Sequence, residues 1–338
     1  MESVFFGTAL IATAFGIALF RRFGRRVATF DVPNERSSHT TPTLRGSGVV
    51  IVIVCLLLYA AAASFGFGKI SWAFIAGALL VSIVSWLDDA ADLPAWGRLA
   101  AHSTAAVILL ASVNPLPAIG IPLYGPIPLG VPFSYAVSFL WIVWMINAYN
   151  FMDGIDGIAG AQATVAGVGW AMIGIWAGDS AIYIFGGVIA FSSLGFLVHN
   201  WSPARVFMGD VGSAFLGYTL AAFPFLAQPD VQEKRPWLFA AAVSFVWLFL
   251  FDTAFTLARR LLKKEKVWLA HRKHLYQRLV IAGWGHASVS LLYCGLAVLV
   301  SAAFIGTLMI SGSTVDLSLF IYAIAPAIIV FLAFRKKD

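Results

Sequence analysis

The stretch WMINAYNFMDGIDGIAG, which runs from Trp144 to Gly160, leaves one long apolar run and leads into another. Within it four acceptor-rich side chains recur every third residue: Asn147, Asn150, Asp153 and Asp156. This spacing places neighbouring members side by side on a helix. Such a cluster at the end of an apolar run points to a cation or a polar substrate bound at the edge of a membrane.

The whole chain is strongly apolar. It has 338 residues, of which 60% are hydrophobic and 11% charged, and its mean hydropathy is +0.88. A soluble protein of this length carries far more charge on its surface. The sequence therefore predicts an all-α, polytopic integral membrane protein in which residues 1–338 form a single transmembrane domain. Cys55 and Cys294 lie inside apolar runs and are expected to be packing residues without a disulfide.

The apolar runs predict about eleven transmembrane helices. They lie near residues 4–20, 48–66, 70–87, 98–113, 132–149, 157–177, 181–198, 212–227, 237–260, 286–310 and 318–334. The first run has no basic segment before it and no small-residue cleavage site after it. It is therefore expected to be a retained span and not a signal peptide.

Basic residues set the predicted orientation. If the segment 21–47 is cytoplasmic, every Lys and Arg except Lys69, Lys234 and Arg235 lies on the cytoplasmic side. The positive-inside rule then places the N-terminus outside and the C-terminus in the cytoplasm. The pI near 9.4 follows from this asymmetry, so it does not indicate binding of nucleic acid. The same cations suit the anionic headgroups of membrane lipids.

In this topology the unusual polar sequences all fall on the cytoplasmic side. Five loops carry them: 21–47, 88–97, 150–157, 199–212 and 261–285. The outer loops are short, and the longest, 114–131, contains no Asp, Glu, Lys, Arg or His. The simplest inference is one site built from the five cytoplasmic loops, at the boundary between cytosol and membrane.

The five loops combine oxygen donors with basic side chains. The donors are Asp88, Asp89, Asp153, Asp156, Asp210, Asn147 and Asn150, and the basic partners are Arg45, Arg205, Arg272, Lys273, His271 and His274. Hard oxygen ligands without cysteine suit Mg²⁺, with Mn²⁺ as a substitute. The cations suit a phosphate or diphosphate, and the glycines of RGSG and GDVGS offer it backbone amides. This is the apparatus of phosphoryl transfer, and its place at the membrane suggests a lipid substrate.

Five motifs, in this order, resemble the polyprenyl-phosphate N-acetylhexosamine-1-phosphate transferases. They are FDVPNERSSHTTPTLRGSG (30–48), SWLDDAADL (85–93), NAYNFMDGIDG (147–157), VFMGDVGSAFLG (206–217) and HRKHLYQRL (271–279). The resemblance covers roughly Asp31 to Arg278. It implies that a UDP-N-acetylhexosamine and undecaprenyl phosphate react, with Mg²⁺, to give an undecaprenyl-diphosphate-sugar and UMP. Homodimers occur in this family, and no residue of the sequence identifies an interface.

The last motif separates branches of the family. HRKHLYQRL departs from the adjacent histidines of the lipid I enzymes and resembles the branch that initiates O-antigen or related surface polysaccharides. That branch implies N-acetylfucosamine, N-acetylquinovosamine or N-acetylglucosamine as the sugar. It also implies a bacterial inner membrane, with the active site on the cytoplasmic face.

The resemblance also assigns roles by position. The catalytic candidates are Asp88, Asp89, Asp153 and Asp156; the metal candidates are Asp210 and Asn150; the substrate-binding candidates are Asn147, Gly154, Phe207, Arg45, His271, Arg272 and His274. The pair Asp88 and Asp89 matches acids near the lipid phosphate, one of which acts as base. Phe207 and Gly154 match the uridine pocket. Two mechanisms stay open: direct attack by the lipid phosphate on the β-phosphorus, or a covalent phospho-sugar intermediate on an Asp.

Each element also has a plainer interpretation. Asp88 and Asp89 would cap their own loop, and Asp153 and Asp156 the helix that begins near Gly157. Asp252, which lies inside an apolar run, has a functional role, pairs two helices or binds a nearby Arg.

Two functions of other classes complete the alternatives: a secondary transporter and a non-catalytic scaffold. Transporter sites lie near the bilayer midplane between internal repeats, whereas these acids gather at one face of a chain without a clear repeat. A scaffold would lack motif residues, and all of them are present.

Overall fold

A computed structural model describes residues 1–23, 30–31, 42–121, 125–228, 234–266, 271–309 and 315–335. These residues contain the helices α1 (Glu2–Phe23), α2 (Gly48–Ser64), α3 (Trp72–Ala91), α4 (Ala95–Leu110), α5 (Val131–Met152), α6 (Ile158–Ala177), α7 (Ser180–Asn200), α8 (Asp210–Leu226), α9 (Arg235–Phe245), α10 (Trp247–Leu262), α11 (Leu275–Ile281), α12 (His286–Met309) and α13 (Val315–Phe334). They also contain two antiparallel strand pairs: β1 (Phe30–Asp31) with β2 (Thr43–Leu44), and β3 (Ala118–Ile121) with β4 (Gly125–Pro128). The fold of this part is helical, as expected.

Each predicted apolar run coincides with a helix or with a bent pair of helices. Six helices combine at least 18 residues with the hydropathy of a membrane span: α1, α3, α5, α6, α7 and α12. The bent pair α9–α10 adds a seventh when it is counted as one span. Helices α2 and α8 and the 321–334 part of α13 are apolar but shorter. The structure supports a polytopic membrane protein; the count of eleven and the orientation stay predictions.

The span predicted at 237–260 is not one straight helix. It bends by 68° between α9 and α10, because Val246 leaves the helical conformation at φ −123° and ψ 17°. The side-chain amide of Gln162 donates to the Phe245 carbonyl at 2.5 Å, so the end of α9 has a hydrogen-bond partner. The second half, α10, carries Asp252.

Helix α8 is the buried axis of the bundle. Every residue from Val211 to Phe225 is buried, and the helix packs against α2, α3 and α5. A Cβ atom on Gly48 would lie 2.4 Å from the Gly212 Cα atom, so α2 and α8 begin in backbone contact. Such close approach needs small residues. The first residue of α8, Asp210, is therefore held at the end of a rigid element.

Contacts between helix ends sort the polar segments onto one face of the bundle, called here the polar face. Arg21 at the end of α1 lies 3.5 Å from His199 at the end of α7. At the opposite face Asp179 caps the start of α7 and accepts the Gln228 amide after α8 at 2.8 Å. Lys234 lies at that opposite face too, bonded to the last turn of α6.

Candidate active site

The polar face is assembled around the segment that joins β2 to α2. Leu44 pairs with Val206 in a parallel bridge, and the Phe207 amide donates to the Leu44 carbonyl at 2.8 Å. Ser47 returns two hydrogen bonds to the Phe207 carbonyl, from its amide at 3.2 Å and from its hydroxyl at 2.9 Å. These bonds fix Arg45 beside the start of α8.

Asp210 is the centre of the acidic cluster. Its Oδ1 atom accepts a hydrogen bond from Arg45 Nη2 at 2.5 Å, and its Oδ2 atom accepts one from Asn150 Nδ2 at 3.1 Å. Arg98 Nη1 lies 3.5 Å from the same Oδ2 atom. The Ser213 hydroxyl donates to Asn150 Oδ1 at 2.8 Å and so orients the amide. The fold thus brings the predicted metal pair, Asp210 and Asn150, into contact.

Asp89 caps the helix that Asp210 begins. Its carboxylate accepts the backbone amides of Asp210 at 3.0 Å and Val211 at 3.2 Å, where the positive end of the helix dipole favours an anion. Arg45 Nε also lies 2.8 Å from its Oδ1 atom. Gly209 permits this approach, since it has φ +76° and a Cβ there would lie 2.6 Å from an Asp89 oxygen. Asp89 therefore caps α8 and holds it in place; it does not cap its own loop.

Asp88 has the capping role that the plainer interpretation gave it, and a further partner. Its Oδ1 atom accepts the Leu93 amide at 2.7 Å, which closes the turn after α3. Its Oδ2 atom lies 2.7 Å from Arg98 Nη1. Because Arg98 also faces Asp210, the capping acid is joined to the acidic cluster by one guanidinium.

Asp153 and Asp156 have different surroundings although they lie three residues apart. Within the described ranges no side-chain or backbone donor forms a hydrogen bond with the half-buried Asp153 carboxylate. Its burial, and next the negative charge of Asp210, raise the pKa of Asp153 to about 7. Asp156 is buried, accepts the Ala204 amide at 3.1 Å and lies 3.3 Å from His286 Nδ1. Burial would raise the pKa of Asp156, but these partners outweigh burial and lower it.

Neither acid caps α6, so that plainer interpretation is wrong. The residue before α6 is Gly157, whose amide donates to Asn200 Oδ1 at 2.9 Å. One glycine in each Gly-rich motif uses its amide within the fold, and not for a phosphate. The Gly48 amide donates to the Met208 carbonyl and the Gly212 amide to the Gly209 carbonyl.

Asp252 positions the short helix α11, which the sequence did not predict. Its carboxylate is 1% exposed and accepts five hydrogen bonds. The donors are the Leu275 amide (2.8 Å), the Tyr276 amide (3.1 Å), the Tyr293 hydroxyl (2.7 Å), the Thr256 hydroxyl (3.2 Å) and His274 Nδ1 (3.1 Å). Asp252 does not bind the nearby Arg259 that the sequence offered as a partner, because the Arg259 guanidinium lies over the Phe334 ring.

His274 and His271 face the cluster from this segment. With Nδ1 of His274 bound to Asp252, its Nε2 atom is left for a ligand. The His271 ring centroid lies 4.9 Å from that of His274. Burial, then the charges of His274, Arg260 and Lys273, lower the pKa of His271 to about 4, so this ring is neutral near pH 7.

A cavity of about 520 Å³ joins these groups. Five of the predicted site residues line it: Asn147, Asn150, Asp210, His271 and His274. Its apolar wall is made by Leu99, Trp144, Phe151 and Leu257. Leu99 and Phe151 are only partly covered by other residues, since 50% and 53% of their surfaces are exposed. One cavity thus combines a charged end with an exposed apolar wall.

The other predicted residues surround this cavity without lining it. Arg45, Asp88 and Asp89 reach it through Asp210 and Arg98. The remaining ones are Asp153, Asp156, Gly154, Phe207 and Arg272, and Arg272 is half-buried in the segment before α11. Most of the loop 21–47 and residues 267–270 lie outside the described residues.

Six polar lining residues were not among the sequence candidates: Arg98, His102, Thr253, Thr256, Arg260 and Gln277. Arg98 is the fourth residue of α4, and Arg260 lies in the last turn of α10, so each is a cation near the end of a largely apolar helix. Lys and Arg are common at such ends, so position along the chain did not distinguish these two from the other basic residues.

The oxygen donors of the cavity bear on the expected Mg²⁺. Within the part of the chain that the structure describes, no group of three or more His, Cys, Asp or Glu side chains could hold a metal. Mg²⁺ commonly uses only one or two carboxylates and takes further oxygens from substrate phosphates and water. Asp210 supplies a carboxylate at the cavity. The Asn150 side-chain amide would supply an oxygen beside it after turning over, since its NH₂ group now faces Asp210 and its oxygen accepts from Ser213. With that rotation the residues fit the ion.

Comparisons with known proteins agree with this chemistry. Residues 71–228 match the family described as glycosyl transferase family 4. A Bacillus subtilis (strain 168) protein named "Probable undecaprenyl-phosphate N-acetylglucosaminyl 1-phosphate transferase" is 29% identical over 319 residues, covering 93% of this chain and 85% of that protein.

Two further relatives extend the comparison. The decaprenyl-phosphate N-acetylglucosaminephosphotransferase of Mycobacterium leprae (strain TN) is 30% identical over 314 residues, 84% of this chain and 78% of that protein. The phospho-N-acetylmuramoyl-pentapeptide-transferase of Lactiplantibacillus plantarum (strain ATCC BAA-793 / NCIMB 8826 / WCFS1) is 31% identical over 203 residues, 57% of this chain and 63% of that protein. The similarity extends over more of the chain for the first two.

Proposed function

The chain belongs to glycosyl transferase family 4 and is a phosphotransferase of that family, and from this premise we propose that it moves an N-acetylhexosamine 1-phosphate from a UDP-sugar to undecaprenyl phosphate. The products would be an undecaprenyl-diphosphate-sugar and UMP. Membership of this enzyme family sets aside the transporter and the non-catalytic scaffold.

The observation that carries the proposal is the two-part cavity. Its charged end presents Asp210, Asn150, Arg98 and His271 to a diphosphate. Its apolar wall suits an isoprenoid chain, because transfer of such a chain from water to apolar surface is favourable at about 25 cal/mol per Å². A soluble nucleotide-sugar and a membrane lipid would meet where the two parts join.

The proposed reaction is in-line attack by a lipid phosphate oxygen on the β-phosphorus of the UDP-sugar. One phosphoanhydride bond forms to the lipid phosphate, and the bond to the α-phosphate breaks, so that UMP leaves with the bridging oxygen. The lipid phosphate has a second pKa of about 6 and needs little help to lose its proton. We assign Arg98 to that phosphate, with Asp88 orienting the guanidinium.

The alternative through a covalent intermediate has a geometric requirement, since the reacting carboxylate needs a free oxygen. Asp89 does not suit it, because its oxygens accept two amides and Arg45. Asp153 is the acid without a bonded donor among the described residues. Incubation with a radiolabelled UDP-sugar in the absence of lipid tests this route, and label that stays on the protein and moves to added lipid would favour it.

Asp210 and Asn150 are the residues that would hold Mg²⁺, whose positive charge would offset charge on the departing UMP. We place the uridine beside Phe207 and Gly154, at the edge of the cavity. A Cβ on Gly154 would lie 2.1 Å from the Tyr276 hydroxyl, so this position needs a residue without a side chain to pack against α11.

The sugar is proposed to be N-acetylglucosamine, N-acetylfucosamine or N-acetylquinovosamine. The first has the added support that the Bacillus and Mycobacterium relatives carry it in their names. We further propose that the reaction starts O-antigen or a related surface polysaccharide at the cytoplasmic face of a bacterial inner membrane. The excess of Lys and Arg at the polar face supports this orientation.

The test uses detergent-purified protein, undecaprenyl phosphate and Mg²⁺, with each UDP-N-acetylhexosamine supplied separately and UMP release followed. We expect lipid-dependent release with one sugar and a loss of about 100-fold or more in Asp210→Asn, the size seen when transition-state charge stabilisation is removed. Asp179→Asn, a buried acid at the opposite face, is the control that keeps the reaction. No release with any sugar from folded, lipid-binding protein would refute the proposal.

A further inference from the structure

A second cavity, called here the basic pocket, lies between the end of α10 and α11. It has a volume of about 180 Å³ and is lined by Thr256, Arg259, Arg260, Lys263, Glu265, Lys273 and Arg278. Five of these seven side chains are cations and one is an acid. A pocket of this composition attracts an anion.

The single acid is already engaged. Glu265 pairs with Arg260 Nε at 3.1 Å and with Lys273 Nζ at 2.6 Å. In the described ranges no carboxylate lies within ion-pair distance of Arg259, Lys263 or Arg278. The pocket thus gathers three cations whose charge the described protein does not balance.

The two arginines among them are held close together by one aromatic ring. The Arg259 and Arg278 guanidinium carbons lie 4.6 Å and 4.0 Å from the centroid of Phe334, near the end of α13. Arg278 Nε also donates to the Ala333 carbonyl at 3.4 Å. Burial and the Arg259 charge lower the pKa of Arg278, as expected for cations that repel each other. An anion between the two guanidiniums would relieve this repulsion.

The pocket opens beside exposed apolar side chains. Leu261 and Leu262 are 56% and 85% exposed at the end of α10, and Phe331 is 64% exposed on α13. A soluble anion would leave these groups uncovered. A phospholipid would cover them with its acyl chains while its headgroup enters the pocket.

We propose that the basic pocket binds the phosphate of an anionic phospholipid, held by Arg259, Lys263 and Arg278, with the acyl chains along the exposed face of α13. This site is separate from the transfer reaction, although Thr256 and Arg260 line both cavities. The proposal does not depend on the proposed function, because lipid binding is measured without UDP-sugar.

The experiment compares two double variants that remove equal charge from one segment. Arg259→Gln with Arg278→Gln changes the pocket, whereas Lys264→Gln with Lys266→Gln changes exposed neighbours that do not line it. Each protein, in neutral detergent, is titrated with phosphatidylglycerol, phosphatidylcholine or inorganic phosphate. Native mass spectrometry counts retained lipid, and the thermal midpoint reports stabilisation.

We expect phosphatidylglycerol to bind the wild type and the lysine variant and to raise their thermal midpoints, with about tenfold or greater loss of affinity in the arginine variant. Equal loss in both variants would mean diffuse attraction and would overturn the proposal. So would equal binding of phosphatidylcholine, or equal stabilisation by inorganic phosphate. Where the arginine variant does not fold, Lys263→Gln replaces it, since this exposed side chain has no packing role and should weaken lipid binding in the same direction.

Discussion

The most informative perturbation outside the acidic cluster is Asp252→Asn. This substitution keeps the size of a buried side chain but replaces one acceptor oxygen by an amide group that only donates. Five donors converge on the carboxylate, and the side chain is 1% exposed, so water cannot take over as the acceptor. The amide oxygen can serve some of the five, and the donors facing the new NH₂ group lose their partner.

The expected magnitude follows from counting those donors. If two of the five lose their acceptor, at about 1–3 kcal/mol for each buried unsatisfied group, the free energy of unfolding falls by about 2–6 kcal/mol. The released donors include those that fix α11 and the His274 ring at the cavity. Misplacement of a binding group by about 1 Å can reduce a rate about 100-fold, so we expect kcat to fall by about 10–100-fold in the molecules that remain folded.

The assay needs a variant that loses stability without moving α11. Asp179→Asn provides it, because Asp179 is also 1% exposed and also accepts helix-capping amides, but at the opposite face. Thermal unfolding and lipid-dependent UMP release are measured on all three proteins, with rates corrected for the folded fraction. Both variants should lose stability, and only Asp252→Asn should lose activity per folded molecule.

Two results would refute this reasoning. If Asp252→Asn kept the wild-type rate per folded molecule, the position of His274 would not matter for transfer. If its thermal midpoint did not change, the five hydrogen bonds would not contribute to stability, and Asp252 would not be what holds α11 in place.

Three further predictions concern the polar face. Gly209→Ala should lower the thermal midpoint more than Gly178→Ala. Both glycines have φ near +77°, so the backbone strain is equal, but only at Gly209 would the new Cβ lie 2.6 Å from an Asp89 oxygen. Asp153→Asn should raise the thermal midpoint above pH 7, measured in the presence of a chelator. There the folded wild-type protein must ionise a carboxyl group whose pKa is about 7, whereas the Asn side chain stays neutral. This gain in thermal midpoint should vanish at about pH 4, the ordinary pKa of an Asp side chain. His271→Gln should leave the pH dependence of UMP release unchanged between about pH 6 and 8, since a ring with a pKa near 4 does not titrate there.

Much of the site could be predicted because membrane topology restricts where loops meet. Alternating apolar runs place every second loop on the same side, so the segments that carry Asp88, Asn150, Asp210 and His274 were expected to share one face. Their side chains do line or adjoin one cavity. The hydrophobic pattern likewise located the helices, since it follows from burial against lipid or against neighbouring helices.

The pairing of acids with bases could not be predicted in the same way. Spacing along the chain does not show that Asp89 caps α8, which begins 121 residues later. Nor does it show that Arg45 bridges Asp89 and Asp210. These contacts depend on how deeply α3 and α8 pack and on the bonds between Leu44 and Phe207. The break at Val246 was missed because no proline or glycine marks it.

The charges of the polar face support the proposal that the transfer reaction uses an added cation. Asp88, Asp89 and Asp210 share two guanidiniums, those of Arg45 and Arg98, so the chain's own cations are already committed to its own acids. A diphosphate that enters the same cavity brings further negative charge next to Asp210, and in a site shielded from water such repulsion is strong. Asp210 would hold a divalent ion whose charge balances both anions, and Arg45 and Arg98 would then be available to the phosphates. The acid proposed to ligate the ion and the arginines proposed to bind the substrate would then form one coupled charge system.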